Sequence, residues 1–501
     1  MTDLLHNLIY GFSVALSLQN LWYCFVGCFL GTLIGVLPGI GPMATIGMLL
    51  PITFKLPAVS ALIMLAGIYY GAQYGGSTTS ILVNLPGEAS SAVTCLDGYQ
   101  MARQGRAGPA LTIAALGSLF AGCVGTLLIA VAGPPLAELA FAFGAAEYFS
   151  MMVLGLIMAV VLAHGSVLKA IAMIILGLLF GLIGTDVNSG MQRFSLGVSE
   201  LSDGIDIVGV AVGLFGIGEI IANLELKEKR VVFTSKVSGL WPTMADLKAS
   251  WKPVLRGTSI GSIFGLLPGT HAVIASFASY TVEKKLASDP SRFGKGAIEG
   301  VASPESANNA AAQTSFIPLL TLGIPTGGIM ALMLGAMMIQ GIAPGPQVMT
   351  QRPDLFWGMI ASMWVGNLML VVLNLPLIGL WIKLLTVPYR FLYPAILMFC
   401  CIGVYSINNS PVDVYICAFF SLLGYGFEKL ECEPAPLLLG FVLGPMMEEN
   451  LRRAMLISRG DPSVLLTRPI SAAMLAVAAI ALVSVIIPFL RKKRELVLAV
   501  E

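Results

Sequence analysis

The sequence predicts an all-α polytopic membrane protein, and three observations support this prediction. Of the 501 residues, 57% are apolar and 11% are charged, which is under half of the roughly 25% found in an average soluble domain. No Lys or Arg lies between Arg106 and Lys169, or between Lys295 and Arg352. Such stretches are long enough for several bilayer crossings of about 20 residues each. Finally, a glycine-rich apolar segment ends in Leu-Pro-Gly twice, at 31–39 (GTLIGVLPG) and at 261–269 (GSIFGLLPG).

Composition and missing motifs exclude several classes of protein. The net charge of +1 argues against a nucleic-acid partner. The sequence contains no GxxxxGK[ST] loop, so ATP does not drive it directly. Its three histidines form no HExxH motif, and no catalytic constellation is evident. We therefore predict that the protein is not an enzyme and holds no metal or organic cofactor.

Apolar runs and charge divide the chain into two membrane repeats. We predict helices near 20–37, 57–74, 109–132, 148–164, 167–184 and 204–222, and near 254–267, 297–312, 328–342, 355–380, 391–407, 412–428, 434–447 and 470–490. The predicted domains are a first repeat (1–225), a basic cytoplasmic connector (226–252), a second repeat (253–467), and an additional transmembrane helix with a basic tail (468–501).

The loops predict that the two repeats have inverted topology. After the first Leu-Pro-Gly, the turn at Lys55 is short, whereas its counterpart at 283–296 is strongly basic. Conversely, the loop 87–108 carries two arginines and its counterpart 341–354 carries one. Basic residues thus accumulate on alternate loops, and the positive-inside rule then favours opposite orientations.

The paired breaks predict an anion site at the bilayer midplane. Pro38 and Gly39, like Pro268 and Gly269, interrupt a helix and free backbone groups that must find partners inside the membrane. A helix that starts after Gly41 would bring its unpaired N–H groups, equivalent to about half a positive charge, to this point. The alternative is a proline kink that only tilts a helix. Matched interruptions in two halves favour a transporter binding site with broken helices or re-entrant hairpins.

A second interrupted element follows in each half. In the first half, 74–88 reads YGGSTTSILVNLPGE, where Ser77, Ser80 and Asn84 share a helical face before a break at Pro86-Gly87. In the second half, 303–327 reads SPESANNAAAQTSFIPLLTLGIPTG. Neutral hydroxyl, amide and backbone groups can hold a carboxylate without an intramembrane Lys or Arg. The alternative is helix packing by small and hydroxyl residues.

Two titratable residues are candidates for a coupling ion or proton. In the second half, Ser303 resembles an N-cap with Pro304 at N1, which would place Glu305 in the first turn. Glu305 then either offsets the helix dipole or binds the coupling cation or proton. His271 follows the second break where the first repeat has Gly41, and either titrates or is a neutral, hydrogen-bonded histidine.

The two Leu-Pro-Gly breaks, the stretch YGGSTTSILVNLPGE and the run PESANNAAAQTSFIPLLTLGIPTG closely resemble the large membrane subunit of tripartite tricarboxylate transporters. The resemblance covers about residues 10 to 490. It implies a multi-pass protein of the bacterial inner membrane that works with a small membrane subunit and a periplasmic solute-binding protein. It also implies import of citrate or other carboxylates, coupled to sodium or protons, by an elevator-like movement.

The sequence therefore predicts a secondary transporter for an organic tri- or dicarboxylate, with sodium favoured as the coupling ion. A proton-coupled symporter of the same architecture and a passive anion channel are the alternatives, and both a single protomer and a homodimer stay open. The predicted substrate-binding residues are Pro38, Gly39, Gly41, Ser77, Thr78, Thr79, Asn84, Pro86, Gly87, Pro268, Gly269, Thr270, Asn308, Asn309, Pro325 and Thr326.

Overall fold

The computed structural model of the protein describes residues 2–37, 41–163, 166–186, 188–225, 239–267, 272–385 and 389–498. Within these ranges the chain is almost wholly α-helical, which confirms the predicted class. The described strands form one antiparallel ribbon, in which β1 (Gly184–Thr185) pairs with β2 (Gln192–Arg193).

The helices alternate between long membrane-scale segments and short connecting ones. In the first half they are α1 (Thr2–Ala15), α2 (Leu18–Val36), α3 (Pro42–Thr53), α4 (Ala58–Val83), α5 (Thr94–Arg103), α6 (Ala107–Ala140), α7 (Ala145–Leu162), α8 (Val167–Gly181), α9 (Ile207–Ala211) and α10 (Gly218–Glu225). A π-helical turn, Val212–Ile217, joins α9 to α10, and short 3-10 turns occupy Ala89–Ser91, Ser199–Leu201 and Pro290–Arg292.

The second half has the same mixture of long and short helices. They are α11 (Met244–Leu266), α12 (Ala272–Leu286), α13 (Glu299–Thr314), α14 (Phe316–Leu322), α15 (Gly328–Ile339), α16 (Gln347–Gln351), α17 (Pro353–Asn374), α18 (Ile378–Leu385), α19 (Tyr389–Asn408), α20 (Pro411–Lys429), α21 (Ala435–Ile457), α22 (Val464–Thr467) and α23 (Pro469–Leu498).

Three of the described helices, α2, α6 and α17, are long and apolar enough to cross a membrane. Shorter apolar helices accompany them, including α3, α7, α8, α15 and the first part of α23. The chain is therefore a helical membrane protein. Its apolar core joins both halves, because Ile68 of α4 packs in one cluster with Phe316, Phe356 and Phe420.

Several elements differ from the sequence prediction. Helix α3 begins directly after Gly41, where the sequence led us to expect a helix start, whereas α12, which follows the second Leu-Pro-Gly break, was not predicted. Helix α11 begins about ten residues earlier than predicted, inside the expected connector, because Thr243 and Asp246 form a capping box at its start. The rest of that connector, 226–238, lies outside the described residues, and the predicted domain boundaries stay a prediction.

The two halves repeat one packing arrangement. Helix α2 packs against α4, and α11 packs against α13, through glycines spaced four residues apart. A Cβ atom added at any of these glycines would overlap a carbonyl oxygen of the facing helix, in the pairs Gly27–Met64, Gly31–Ile68, Gly35–Ala72, Gly257–Ser303, Gly261–Ala307 and Gly265–Ala311. Small residues of this kind allow two membrane helices to approach closely. The glycines before each break thus fix the position at which the helix ends.

A buried carboxylate ties the two halves together. Asp97 of α5 is fully buried, and its Oδ1 accepts hydrogen bonds from the backbone N–H groups of Gly294, Gly296 and Ala297 at 2.9, 2.8 and 2.8 Å. Its Oδ2 accepts from the Tyr280 hydroxyl at 2.9 Å. These donors lie on α12 and on the loop that leads into α13, so Asp97 holds the start of α13 against the first half.

Candidate functional site

A cavity of about 940 Å³ lies where the broken segments of both halves meet. The first half contributes Gly41, Pro42 and Met43 after the first break, and 86–90 after the second. The second half contributes Ala272 and Val273 after its first break, and 326–330 after its second. Described residues next to all four interruptions, although far apart in the chain, therefore border one space.

The starts of three helices border this cavity: α3, α12 and α15. Gly41 is the N-cap of α3 and Pro42 its first residue, while Gly327 is the N-cap of α15. The first N–H groups of a helix have no acceptor within the helix, and they give its N-terminus a partial positive charge. An anion in the cavity would therefore meet favourable electrostatics without any intramembrane Lys or Arg.

Charged side chains of the cavity wall are mostly acidic. The described lining contains Glu88, Glu219, Glu428, Glu431 and Glu433 against Lys429. Glu88 is 7% exposed, and its Oε1 has no hydrogen-bond partner. Glu219 is half-buried and lies next to Gly41, since a Cβ at that glycine would be 3.9 Å from Glu219 Oε1. A free anion would thus be repelled by part of the wall unless a cation or proton accompanied it.

A second polar cluster surrounds Glu305, deeper between α4, α5, α6 and α13. Glu305 is fully buried and accepts hydrogen bonds from Ser77 at 2.5 Å, from Thr94, and from Asn308 at 3.3 Å. Asn309 donates to the Glu305 carbonyl oxygen at 3.0 Å and to Ser118 Oγ at 2.8 Å. Among the described residues, the donors to this carboxylate are neutral, so the cluster can hold a cation or a proton but offers no positive charge of its own.

The structure brings only part of the predicted site to the large cavity. Gly41, Pro86, Gly87 and Thr326 line it. Ser77, Asn308 and Asn309 belong to the Glu305 cluster, while Thr78 borders a small void beside that cluster. Thr79 donates to the Val36 carbonyl oxygen at 2.8 Å and holds α4 against the end of α2. Pro325 is buried but not part of the cavity lining. Pro38, Gly39, Pro268, Gly269, Thr270 and His271 lie outside the described residues.

Two local interpretations of the sequence were wrong. Asn84 is not on the helical face of Ser77, because α4 ends at Val83 and Asn84 caps it in the left-handed conformation (φ 59°), exposed and away from the cavity. Ser303 is not an N-cap, because α13 begins at Glu299, where Asp97 holds the preceding loop. Glu305 consequently lies in the second turn of α13 and does not offset the helix dipole at its first turn.

Sequence reasoning also missed residues of the cavity wall. Glu88 ends the motif NLPGE, and its place directly after a predicted break was the available signal. Glu219 and the charged residues of 428–433 were not predicted, because nothing in the sequence places α10, α20 or the start of α21 beside the breaks. Gln73 and Tyr69 line the cavity one and two turns before Ser77 on α4, respectively.

Broken helices that meet from two halves around one cavity are typical of secondary transporters. The chain belongs to the tripartite tricarboxylate transporter TctA family, whose family model matches residues 21–439. This confirms the resemblance found in the sequence and the prediction that the protein is not an enzyme. The family is that of the large subunit of a tripartite transporter, which implies a small membrane subunit and a periplasmic binding protein as partners.

Two curated relatives come from Agrobacterium vitis. An uncharacterized 52.8 kDa protein of the TAR-I ttuC' 3' region is 61% identical over 501 residues, the full length of both chains. An uncharacterized protein of the TAR-II ttuC' 3' region is 63% identical over 235 residues, which covers 47% of this chain and 97% of the relative. No solved structure matches the chain.

Proposed function

We propose that the protein imports an organic tri- or dicarboxylate across the bacterial inner membrane as the large subunit of a binding-protein-dependent secondary transporter. The observation that carries this proposal is the meeting of three helix N-termini, from both halves, at one cavity of about 940 Å³. Helix N-termini bind carboxylates and phosphates through backbone N–H groups and the helix dipole. The volume lies at the upper end of the range of small-ligand pockets.

Electrostatics requires that cations accompany the substrate. Importing a trianion against an inside-negative potential of 100 mV costs roughly 7 kcal/mol, at about 2.3 kcal/mol per charge. The acidic residues of the cavity wall, Glu88 and Glu219 among them, add to this cost if they are ionised. A cation gradient therefore drives net uptake.

We assign the coupling ion to the cluster around Glu305, with sodium favoured over the proton. Sodium suits a carboxylate surrounded by neutral hydroxyl and amide groups, such as those of Ser77, Thr94 and Asn308. Several carboxyl groups that could carry a proton, Glu88, Asp97 and Glu305 among them, are buried in the structure. Proton coupling therefore stays the alternative that the experiment must separate.

The movement that we propose is elevator-like, with two inverted repeats carrying the broken segments. The repeated glycine packing of α2 on α4 and of α11 on α13 supports a common origin of the two halves. The alternation of basic loops supports opposite orientations.

Reconstitution tests the proposal. Proteoliposomes containing the protein and its small membrane subunit are supplied with the binding protein and radiolabelled citrate or another di- or tricarboxylate. We expect saturable uptake that requires the binding protein and an inward sodium gradient. Uptake that tracks only the proton gradient would instead support proton coupling, and unsaturable flux without the binding protein would support an anion channel. Glu305→Gln is expected to abolish gradient-driven uptake, whereas Glu138→Gln, at an exposed position near the end of α6, serves as the matched control.

A further inference from the structure

A small void separate from the large cavity lies between α4, α6 and α17. Its volume is about 10 Å³, and its polar lining includes Ser77 and Thr78 of α4, Ser118 of α6 and Asn374 of α17. These four residues are at most 4% exposed. A space of this size holds one water molecule or one ion of similar radius.

The hydroxyl groups around the void donate their hydrogens to acceptors outside the void. Ser77 Oγ lies 2.9 Å from the Gln73 carbonyl oxygen and 2.5 Å from Glu305 Oε2. Thr78 donates to the Tyr74 carbonyl oxygen at 3.4 Å, and Ser118 donates to the Glu305 carbonyl oxygen at 3.3 Å. Each hydroxyl has one hydrogen, which is directed at these acceptors. The free lone pairs of the hydroxyl oxygen can therefore only accept a hydrogen bond or bind a cation.

Asn374 supplies an oxygen without a partner. Its Nδ2 donates to the Leu370 carbonyl oxygen at 2.9 Å and to Thr32 Oγ1 at 3.4 Å. Its Oδ1 is buried and has no hydrogen-bond partner. Exchanging the two amide atoms would place an oxygen against the Leu370 carbonyl, so this assignment follows from the contacts. A buried acceptor left unpaired costs roughly 1–3 kcal/mol, which an occupant of the void would remove.

The charge of Glu305 distinguishes the two candidate occupants. Glu305 is fully buried, and its carboxylate contacts Ser77, which lines the void. None of the ion pairs among the described residues includes Glu305. A buried carboxyl group is either ionised with a compensating positive charge nearby or protonated and neutral. A sodium ion in the void compensates the ionised form, whereas water in the void satisfies Asn374 Oδ1 and leaves Glu305 protonated.

We propose that this void binds one sodium ion, with the oxygens of Ser77, Thr78, Ser118 and Asn374 as ligands and Glu305 as the balancing charge. The inference rests on the proposed function in one respect: it identifies this ion with the one whose gradient drives carboxylate uptake. The ion would be small and monovalent, because the void is small and one carboxylate lies next to it.

Equilibrium binding of ²²Na⁺ to the purified full-length chain, without any carboxylate, tests the site. We expect saturable binding of one ion per chain that excess potassium does not displace. Asn374→Ala and Ser118→Ala should each weaken the affinity about tenfold or more, as expected for loss of groups that hold a metal. Asn374→Asp places a carboxylate at the void and should strengthen binding, a direction that misfolding cannot produce. Thr126→Ala is the matched control, since Thr126 lies on the same helix as Ser118 but donates to the Gly122 carbonyl oxygen.

Three results would overturn the inference: no saturable sodium binding, unchanged affinity in both alanine variants, or no gain with Asn374→Asp. The void would then hold water. Citrate uptake by the same variants, reconstituted with the small membrane subunit and supplied with the binding protein, keeps the two proposals apart. Uptake without sodium binding refutes the site but leaves the transporter function intact, whereas sodium binding without uptake of any carboxylate refutes the proposed function alone.

Discussion

The carboxylate of Asp97 is expected to contribute more to stability than most single side chains of the protein. It is fully buried and accepts three backbone N–H groups and one tyrosine hydroxyl from the other half. In Asp97→Ala these donors lose their acceptor, and each unsatisfied buried donor costs about 1–3 kcal/mol. Removal of a buried charge offsets part of the sum, because the carboxylate itself is costly to bury. We therefore expect a loss of about 3–5 kcal/mol in the free energy of unfolding.

Two other variants are expected to lower the free energy of unfolding by less than Asp97→Ala does. Asp97→Asn keeps an oxygen for the three N–H groups but loses the charge, and we expect a loss of about 1–3 kcal/mol. Tyr280→Phe removes only the 2.9 Å hydrogen bond to Oδ2, which is worth about 1 kcal/mol. Unfolding of the purified protein in mixed micelles, followed by tryptophan fluorescence, gives the three values on one scale.

The result that would refute this reasoning is equal stability of Asp97→Ala and Tyr280→Phe. It would mean that the loop 294–297 does not bind the carboxylate in the folded protein. A functional measurement adds a second check. Thr94, one turn before Asp97 on α5, donates to Glu305, so loosening this helix should also weaken ²²Na⁺ binding.

Three other predictions follow from the packing and the charges. Gly31→Val and Gly261→Val should each destabilise the protein by about 1–3 kcal/mol, because the new side chain overlaps the facing helix; equal stability to wild type would contradict the repeated packing. Burial alone would raise the pKa of Asp246, but hydrogen bonds, including those from Thr243, hold its pKa below the ordinary value of 3.8. The stability difference between wild type and Asp246→Asn should therefore be constant above about pH 4 and disappear as the pH falls further, as measured by unfolding at each pH. At a pH at which Glu88 is ionised, Glu88→Gln removes a negative charge from the cavity wall and should lower the Kd for citrate about tenfold at low salt; an unchanged Kd at that pH would place the ligand away from Glu88.

Much of the fold could be predicted from local patterns. The ends of α2 and α11 were predicted from Leu-Pro-Gly, because proline and glycine act on the backbone wherever the chain lies. The break at 324–327 was predicted for the same reason, and in the structure it lies between the end of α14 at Leu322 and the start of α15 at Gly328. The start of α13 was not predicted, because it depends on Asp97, which is about 200 residues away in sequence. Tertiary hydrogen bonds of this kind leave no local pattern.

In the candidate site, too, the residues that depend on local sequence were predicted and those that depend on packing were not. Gly41, Pro86, Gly87 and Thr326 were predicted because they are the breaks themselves. The polar face of α4 was predicted to bind substrate, but packing turns Ser77 towards Glu305 instead. The hydroxyl spacing was visible in the sequence, whereas the neighbour that each hydroxyl meets depends on how α13 and α6 pack against α4.

The two polar regions are physically connected, and this gives a basis for coupling. Gln73 lines the large cavity, where its Oε1 accepts from Ser90 at 2.6 Å. The Gln73 carbonyl oxygen lies 2.9 Å from Ser77 Oγ, which is also 2.5 Å from Glu305 Oε2. Three contacts thus lead from Ser90 at the large cavity, through Gln73 and Ser77 of α4, to Glu305 of α13 beside the proposed sodium site. A ligand that rearranges Gln73 would alter the oxygens available to the ion, and the ion would in turn favour one arrangement of Gln73. Thermodynamic linkage then requires that sodium and the carboxylate change each other's affinity by the same factor, and an increase in both is the energetic condition for symport.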